Sequence, residues 1–317
     1  MRQFGPGRTQ GWGLNFLGRE IFAKIVAFTM TTSALTSCYI TTSSGTKTHY
    51  LLAGDRSGPP LVCLHGLGGS TETFLRLLPV LPSSCNIALV DFQGFGKTPL
   101  ADRTKKLTIA GHVADLHDLL ASLQDSPHKK RKISKTIIIG HSLGAIVALH
   151  YAAQHPDTIA GLVLLGPGRA IGHIPAARHR MLDLAADVRE KGILFGAEMA
   201  IKSNFYEDTP DRSADPVARD AVREIVAASD PEGYAQTCEA LVDLEHADPD
   251  YAVIKCPAVF IAGDKDTISP AERSQELSKL LGGESWVEVA KSGHQPILED
   301  LKAVEQAFTK LLEKVRI

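Results

Sequence analysis

Ile137-Ile138-Ile139-Gly140-His141-Ser142-Leu143-Gly144-Ala145-Ile146-Val147-Ala148 is a β-branched apolar run, then Gly-x-Ser-x-Gly, then a small and apolar run suited to a helix. Strand, sharp turn and helix in that order make a nucleophile elbow. Such a turn holds its serine in a strained conformation that only small flanking residues permit, which gives Gly140 and Gly144 a reason. Oγ of Ser142 would then stand clear of the sheet at a helix N-terminus. There the backbone N–H groups and the helix dipole favour developing negative charge.

Two stretches further along complete a chemical set. Ala258-Val259-Phe260-Ile261-Ala262-Gly263-Asp264-Lys265-Asp266-Thr267-Ile268-Ser269-Pro270 reads as a buried strand, a glycine and an acidic loop, with Pro270 opening a helix. Trp286-Val287-Glu288-Val289-Ala290 alternates as a strand, and Ser292-Gly293-His294-Gln295-Pro296 follows it. An acid and a histidine thus fall in loops after successive strands, beside the loop of Ser142. In open α/β sheets such carboxyl-end loops form the active site. A free serine is a weak nucleophile and needs an adjacent base, for which His294 is the candidate. An acid must hold the imidazole tautomer and stabilise the imidazolium. By residue type alone, Asp264 and Asp266 both qualify.

Composition agrees with a globular chain large enough to bury a core. Its 317 residues are 44% hydrophobic and 22% charged. A formal net charge of −2 implies no global attraction to nucleic acid or to an anionic membrane. There are five cysteines, an odd number, and Cys63 and Cys256 lie in apolar strands. Buried free thiols in a reducing, cytoplasmic setting are expected. No cysteine pair has metal-ligand spacing and no His-Glu-x-x-His occurs, so neither a metal nor another cofactor is expected.

From Tyr39 the pattern is orderly. Tyr39 to Thr42 and Thr46 to Ala53 read as a hairpin, Pro60 to Leu64 as a buried strand and Thr71 to Leu81 as a helix. Ile87 to Asp91 is a further strand, Leu107 to Leu123 a helix, and Ile159 to Leu165 a buried strand. His128-Lys129-Lys130-Arg131-Lys132 reads as a solvated loop. Between Gly166 and Pro257 the strand pattern stops. Arg178 to Glu190, Ala197 to Asn204, Ala214 to Ala228 and Gly233 to Leu244 read as helices. The N-terminal stretch carries Arg2, Arg8, Arg19 and Lys24 against one acid, Glu20, and an apolar run from Ile21 to Phe28 broken by Lys24. It suggests a mitochondrial presequence or a degenerate signal peptide, or else translation starting at Met30. The run is too short for a stable membrane span.

Together with Leu64-His65-Gly66-Leu67-Gly68-Gly69 and Asp91-Phe92-Gln93-Gly94-Phe95-Gly96-Lys97-Thr98, these motifs resemble the α/β-hydrolase family from about Cys38 to the C-terminus. Among its members the chain looks most similar to small esterases and enol-lactonases with a helical cap. The resemblance implies an α/β fold, with a mostly parallel central sheet, flanking helices and a helical cap insertion. It divides the chain into an N-terminal extension over 1–37, a core over 38–168 and 257–317, and a cap over 169–256. The family's triad runs serine, acid, histidine, and its Gly-x-x-Asp pattern before a helix-opening proline selects Asp266 beside Ser142 and His294. The backbone N–H groups of Leu67 and Leu143 become the expected oxyanion donors. The implied activity is hydrolysis of a small carboxylic ester or lactone through an acyl-enzyme. The same triad also serves C–C bond hydrolysis, acyl transfer or perhydrolysis, and a non-catalytic receptor on this fold is a further alternative. A serine at position 142 disfavours the epoxide and haloalkane chemistries that use an aspartate there. Phe195, Phe205, Tyr206 and Tyr234 are the aromatics that could line a pocket under the cap.

Overall fold

The structure, a computed structural model, describes residues 35–124 and 135–315. The basic segment up to Ala34 and the loop His128 to Lys132 therefore lie outside the described residues. Eight strands form one sheet: β1 (Thr36–Thr41), β2 (Lys47–Gly54), β3 (Pro60–Leu64), β4 (Asn86–Val90), β5 (Thr136–His141), β6 (Ile159–Leu165), β7 (Ala258–Gly263) and β8 (Ser285–Ala290). Their order is β1-β2-β4-β3-β5-β6-β7-β8. β2 runs antiparallel to both β1 and β4, and every other pairing is parallel. Strands covered on both faces need apolar residues throughout. β3, β4, β5, β6 and β7 are accordingly buried at every position, while the edge strand β8 is half-buried. Thr36 and Ser37, which the sequence placed with the extension, already pair with Leu52 and Leu51.

The alternation of side chains sorts the core into two layers. Leu61, Cys63, Ile87, Leu89, Ile137, Ile139, Val163, Leu165, Val259 and Ile261 share one face with Phe74, Phe308 and Leu311. On the other face lie α1 (Ile109–Gln124) and α2 (Leu143–Gln154), which also pack on each other. The expected helix over Thr71 to Leu81 is instead two 3-10 turns, Thr71–Phe74 and Leu78–Val80. Pro79 has no N–H to give Leu75, so an α-helix cannot run through it. The Thr71 N–H is also drawn off to Asp91 Oδ1 at 2.6 Å.

Four helices separate β6 from β7: α3 (Pro175–Lys191), α4 (Ile193–Asn204), α5 (Pro216–Ala227) and α6 (Pro231–Leu241). Prolines open α3, α5 and α6, and Asp215 and Asp230 cap the last two by accepting N–H groups of the first turn. α4 starts earlier than its sequence pattern suggested. Gly192 at φ 86° ends α3, and the chain enters α4 directly. α3 packs on α6 and α4 on α5. The remaining helices are α7 (Ala271–Leu280), the short α8 (Pro296–Glu299) and α9 (Leu301–Lys314). All five cysteines are free, and burial pushes the Cys256 thiol up to about 11.

Candidate active site

β3 and β5 are neighbours, yet the chain leaves β3 for β4 on one side and β5 continues to β6 on the other. The crevice at the carboxyl ends of such a reversal is where open α/β sheets bind ligands. Ser142 follows β5 there with φ 51° and ψ −111°. It is the only non-glycine residue with positive φ among the described residues. Holding a non-glycine residue in such a conformation costs about 1–3 kcal/mol, and the surroundings must over-determine it. They do: the Ser142 N–H donates to the Leu165 carbonyl at 2.9 Å, and the Ser142 carbonyl accepts from Ala145 and Ile146 at 3.0 and 3.2 Å. A Cβ on residue 144 would lie 2.0 Å from the Leu64 carbonyl oxygen, so only glycine lets α2 start this close to β3.

The acid and the histidine meet beside it. Asp266 Oδ2 is 2.7 Å from His294 Nδ1, and both residues are buried. The other carboxylate oxygen accepts the N–H groups of Ile268 and Ser269, each at 2.8 Å. Burial by itself would raise the Asp266 carboxyl. The facing His294 ring, its hydrogen bond and the two backbone donors outweigh that and hold it below the usual range. With Nδ1 donating to the carboxylate, the ring keeps a lone pair on Nε2. The pair stands over the end of β6, where a Cβ on residue 166 would lie 2.9 Å from His294 Cε1 and 3.2 Å from Asp266 Oδ2. The His141 ring, one residue before Ser142, is centred 5.0 Å from the His294 ring.

Asp264 points elsewhere. It receives a two-pronged hydrogen bond from Arg212 at 2.6 and 2.9 Å and the Ser292 N–H at 3.1 Å. It thus ties the acid loop to the helical insertion and to the histidine loop.

The loop carrying His294 is held on every side. Its N–H donates to the Asn204 carbonyl at the end of α4, at 2.7 Å. Its carbonyl accepts from His141 Nε2 at 2.7 Å. The preceding N–H, of Gly293, donates to Glu299 Oε2 at 2.9 Å. Burial, and next the neighbouring His294 ring, push His141 down to about 3, so it stays a neutral donor. None of these three supports was legible beforehand. The one signal for His141 was its place inside the elbow, one residue before Ser142. Asn204 and Glu299 carry no motif.

The loop after β3 lies against the elbow, since a Cβ on residue 66 would sit 3.0 Å from Ser142 Cβ. His65 fastens it: Nδ1 donates to the Gly66 carbonyl at 2.7 Å and Nε2 accepts the Phe92 N–H at 3.0 Å. Asp91 fastens the next loop, accepting from Thr71, Lys97 and His49 at 2.6, 2.9 and 2.6 Å. Among the described residues the N–H groups of Leu67 and Leu143 are given no internal acceptor. Against this loop is a cavity of about 30 Å³, whose walls include Leu67, Ala200, Asn204, Val222, Val226 and Gln295. The four insertion aromatics are not among its lining residues. Phe205 and Tyr234 are buried, while Phe195 and Tyr206 lie under Lys191 and Arg212. Among the described residues no group of three or more His, Cys, Asp or Glu side chains is placed to hold a metal. Among the same residues no helix is long and apolar enough to cross a membrane.

Comparison with known proteins covers nearly all of this architecture. A family model described as "Alpha/beta hydrolase family" matches residues 61–307. A pimeloyl-[acyl-carrier protein] methyl ester esterase of Neisseria meningitidis is 28% identical over 260 residues, 80% of this chain and 93% of that protein. Lipase 1 of Psychrobacter immobilis is 26% identical over 313 residues, 95% of this chain and 93% of the lipase. Among solved structures, the enol-lactonase from Burkholderia xenovorans LB400 superposes with a TM-score of 0.72 at 24% identity, covering 87% of this chain and 100% of its own.

Proposed function

The chain belongs to the alpha/beta hydrolase family and is an ester-bond hydrolase, and we propose that it cleaves a small carboxylic ester or lactone through an acyl-enzyme on Ser142. The observation that carries this reading is the strained Ser142 at a helix start, beside a buried Asp266–His294 pair. His294 Nε2 takes the Oγ proton as Oγ bonds to the substrate carbonyl carbon. The carbonyl π electrons move onto oxygen, and the N–H groups of Leu67 and Leu143 receive that oxyanion. Collapse expels the alkoxide, which takes the proton from His294. Water then attacks the acyl-enzyme with His294 as base, and the carboxylic acid and free Ser142 are regenerated. For a lactone both products are one hydroxy acid. Asp266 keeps Nδ1–H oriented throughout and stabilises the imidazolium between steps.

The insertion over 169–256 serves in this reading as a cap on the core formed by 38–168 and 257–317. The small cavity beside the loop of Leu67 supports a small acyl group. The test is Ser142→Ala. The variant should stay folded, lose turnover of p-nitrophenyl acetate and lose labelling by a fluorophosphonate. Full turnover in that variant overturns the assignment.

A further inference from the structure

Besides the Ser292 hydroxyl, which donates to the Gly293 carbonyl at 3.1 Å, four partners hold the Gly293–His294 segment, and three of them keep their form near neutral pH. The Asn204 carbonyl does not titrate, His141 stays neutral, and Asp266 is held ionised. The fourth is Glu299 at the end of α8. We propose that Glu299 is a positioning residue for His294: its carboxylate holds the Gly293 N–H, and with it the base, while ionised, and slackens that hold on taking up a proton. This rests on the reading of His294 as the base.

The geometry is specific. Oε2 accepts the Gly293 N–H at 2.9 Å, one residue before His294. Oε1 is buried and has no hydrogen-bond partner among the described residues. Burial of a carboxylate oxygen that no protein group donates to disfavours its charged form, so protonation is the ready response. Burial pushes Glu299 up to about 7, against the opposing pull of the Gly293 and Gln295 N–H groups and of Arg212 and Arg219. Those two arginines come from the insertion, and each already faces a carboxylate, Asp264 and Asp208, at 2.6 Å. Arg76 donates to the Leu298 carbonyl, one residue before Glu299, at 3.1 Å. On its own segment Asp300 accepts the Lys291 N–H at 2.8 Å, and Lys302 and Glu305 on α9 are exposed. β7 brings no charge before Asp264. A hydrogen bond to an ionised acceptor is roughly twice as strong as one to a neutral acceptor. Uptake of a proton by Glu299 therefore loosens the loop without removing the bond.

The experiment measures kcat/KM on p-nitrophenyl acetate from pH 5 to 9 for the full chain, Glu299→Gln and Glu299→Ala. Gln keeps the shape and a neutral acceptor, so it serves even if Ala fails to fold. The wild type should show an added fall of about five- to tenfold through neutral pH, the difference between a charge-assisted and a neutral bond. Glu299→Gln should lack that step and run at the lower level throughout. Thermal midpoints give a second readout. A carboxyl raised from 4.5 to about 7 loses the folded state stability as pH climbs through that window. The midpoint of Glu299→Gln relative to wild type should therefore be more favourable at pH 8 than at pH 5. A Glu299→Gln profile with the wild-type shape, at the same level or uniformly lower, overturns the proposal. An active His294→Ala would instead overturn the base assignment, and this inference with it.

Discussion

At the residue scale, two aspartates two positions apart have different partners. Asp266 faces the imidazole from a buried site, and Asp264 faces Arg212 from a half-exposed one. An acid that sets the imidazole tautomer acts in the transition state, and its amide presents the wrong partner to Nδ1. Asp266→Asn should lower kcat by about 10³–10⁴-fold with little loss of folding, as such a tautomer error does in other triads. Asp264→Asn removes a half-exposed ion pair, and pairs of that kind contribute about 0–1 kcal/mol. Its kcat should fall less than about tenfold, the scale of so small a contribution. Steady-state rates of the two purified variants decide it, and the reverse ranking would exchange their roles. The same scale explains Ser142. A conformation that costs energy persists because the hydrogen bonds to Leu165, Ala145 and Ile146 leave the chain no alternative.

At the element scale, α5 brings Val222, Ile225 and Val226 to the cavity, positions three and four apart on one helix face. Val226 packs so closely on the loop after β3 that a Cβ on residue 68 would lie 2.8 Å from its Cγ2. Shortening this side chain enlarges the space next to Leu67. Val226→Ala should raise the ratio of kcat/KM for p-nitrophenyl butyrate over acetate severalfold. The loss of two buried carbon atoms costs about 1–2 kcal/mol of stability. An unchanged ratio in a folded variant means that α5 does not wall the acyl group. α4 meets the site by another route: its last carbonyl holds the His294 N–H, and Gln295 reaches the Asn204 side chain. The insertion is thus bonded to the loop it covers.

At the scale of the whole molecule, the sheet places four loops at one edge: those after β3, β5, β7 and β8. The helical insertion stands over them, and a cavity of about 30 Å³ lies beside the loop after β3. Pockets for drug-sized ligands are roughly 300–1,000 Å³. Short soluble esters and lactones should accordingly be turned over with higher kcat/KM than emulsified long-chain triglycerides. A substrate panel on the purified chain measures this, and a preference for the emulsion would show that the insertion opens widely.

The sequence by itself determined the strands, the strand–turn–helix around Ser142 and the presence of a helical insertion. Those signals are local: β-branched runs, glycines at tight turns and a proline opening a helix. They misled where a local pattern lacked its donors, as at Thr71 to Leu81, where Pro79 breaks an otherwise helical spacing. By residue type Asp264 and Asp266 both qualify and the family resemblance favours Asp266; their separate partners, His294 for Asp266 and Arg212 for Asp264, lie on distant elements that only the tertiary structure brings together. Only it brought out His141, Asn204 and Glu299 as holders of the histidine loop. Glu299 reaches back six residues, and the other two lie 153 and 90 residues from the groups they bond. Chain folding alone creates such contacts, through burial that leaves each backbone donor needing an acceptor.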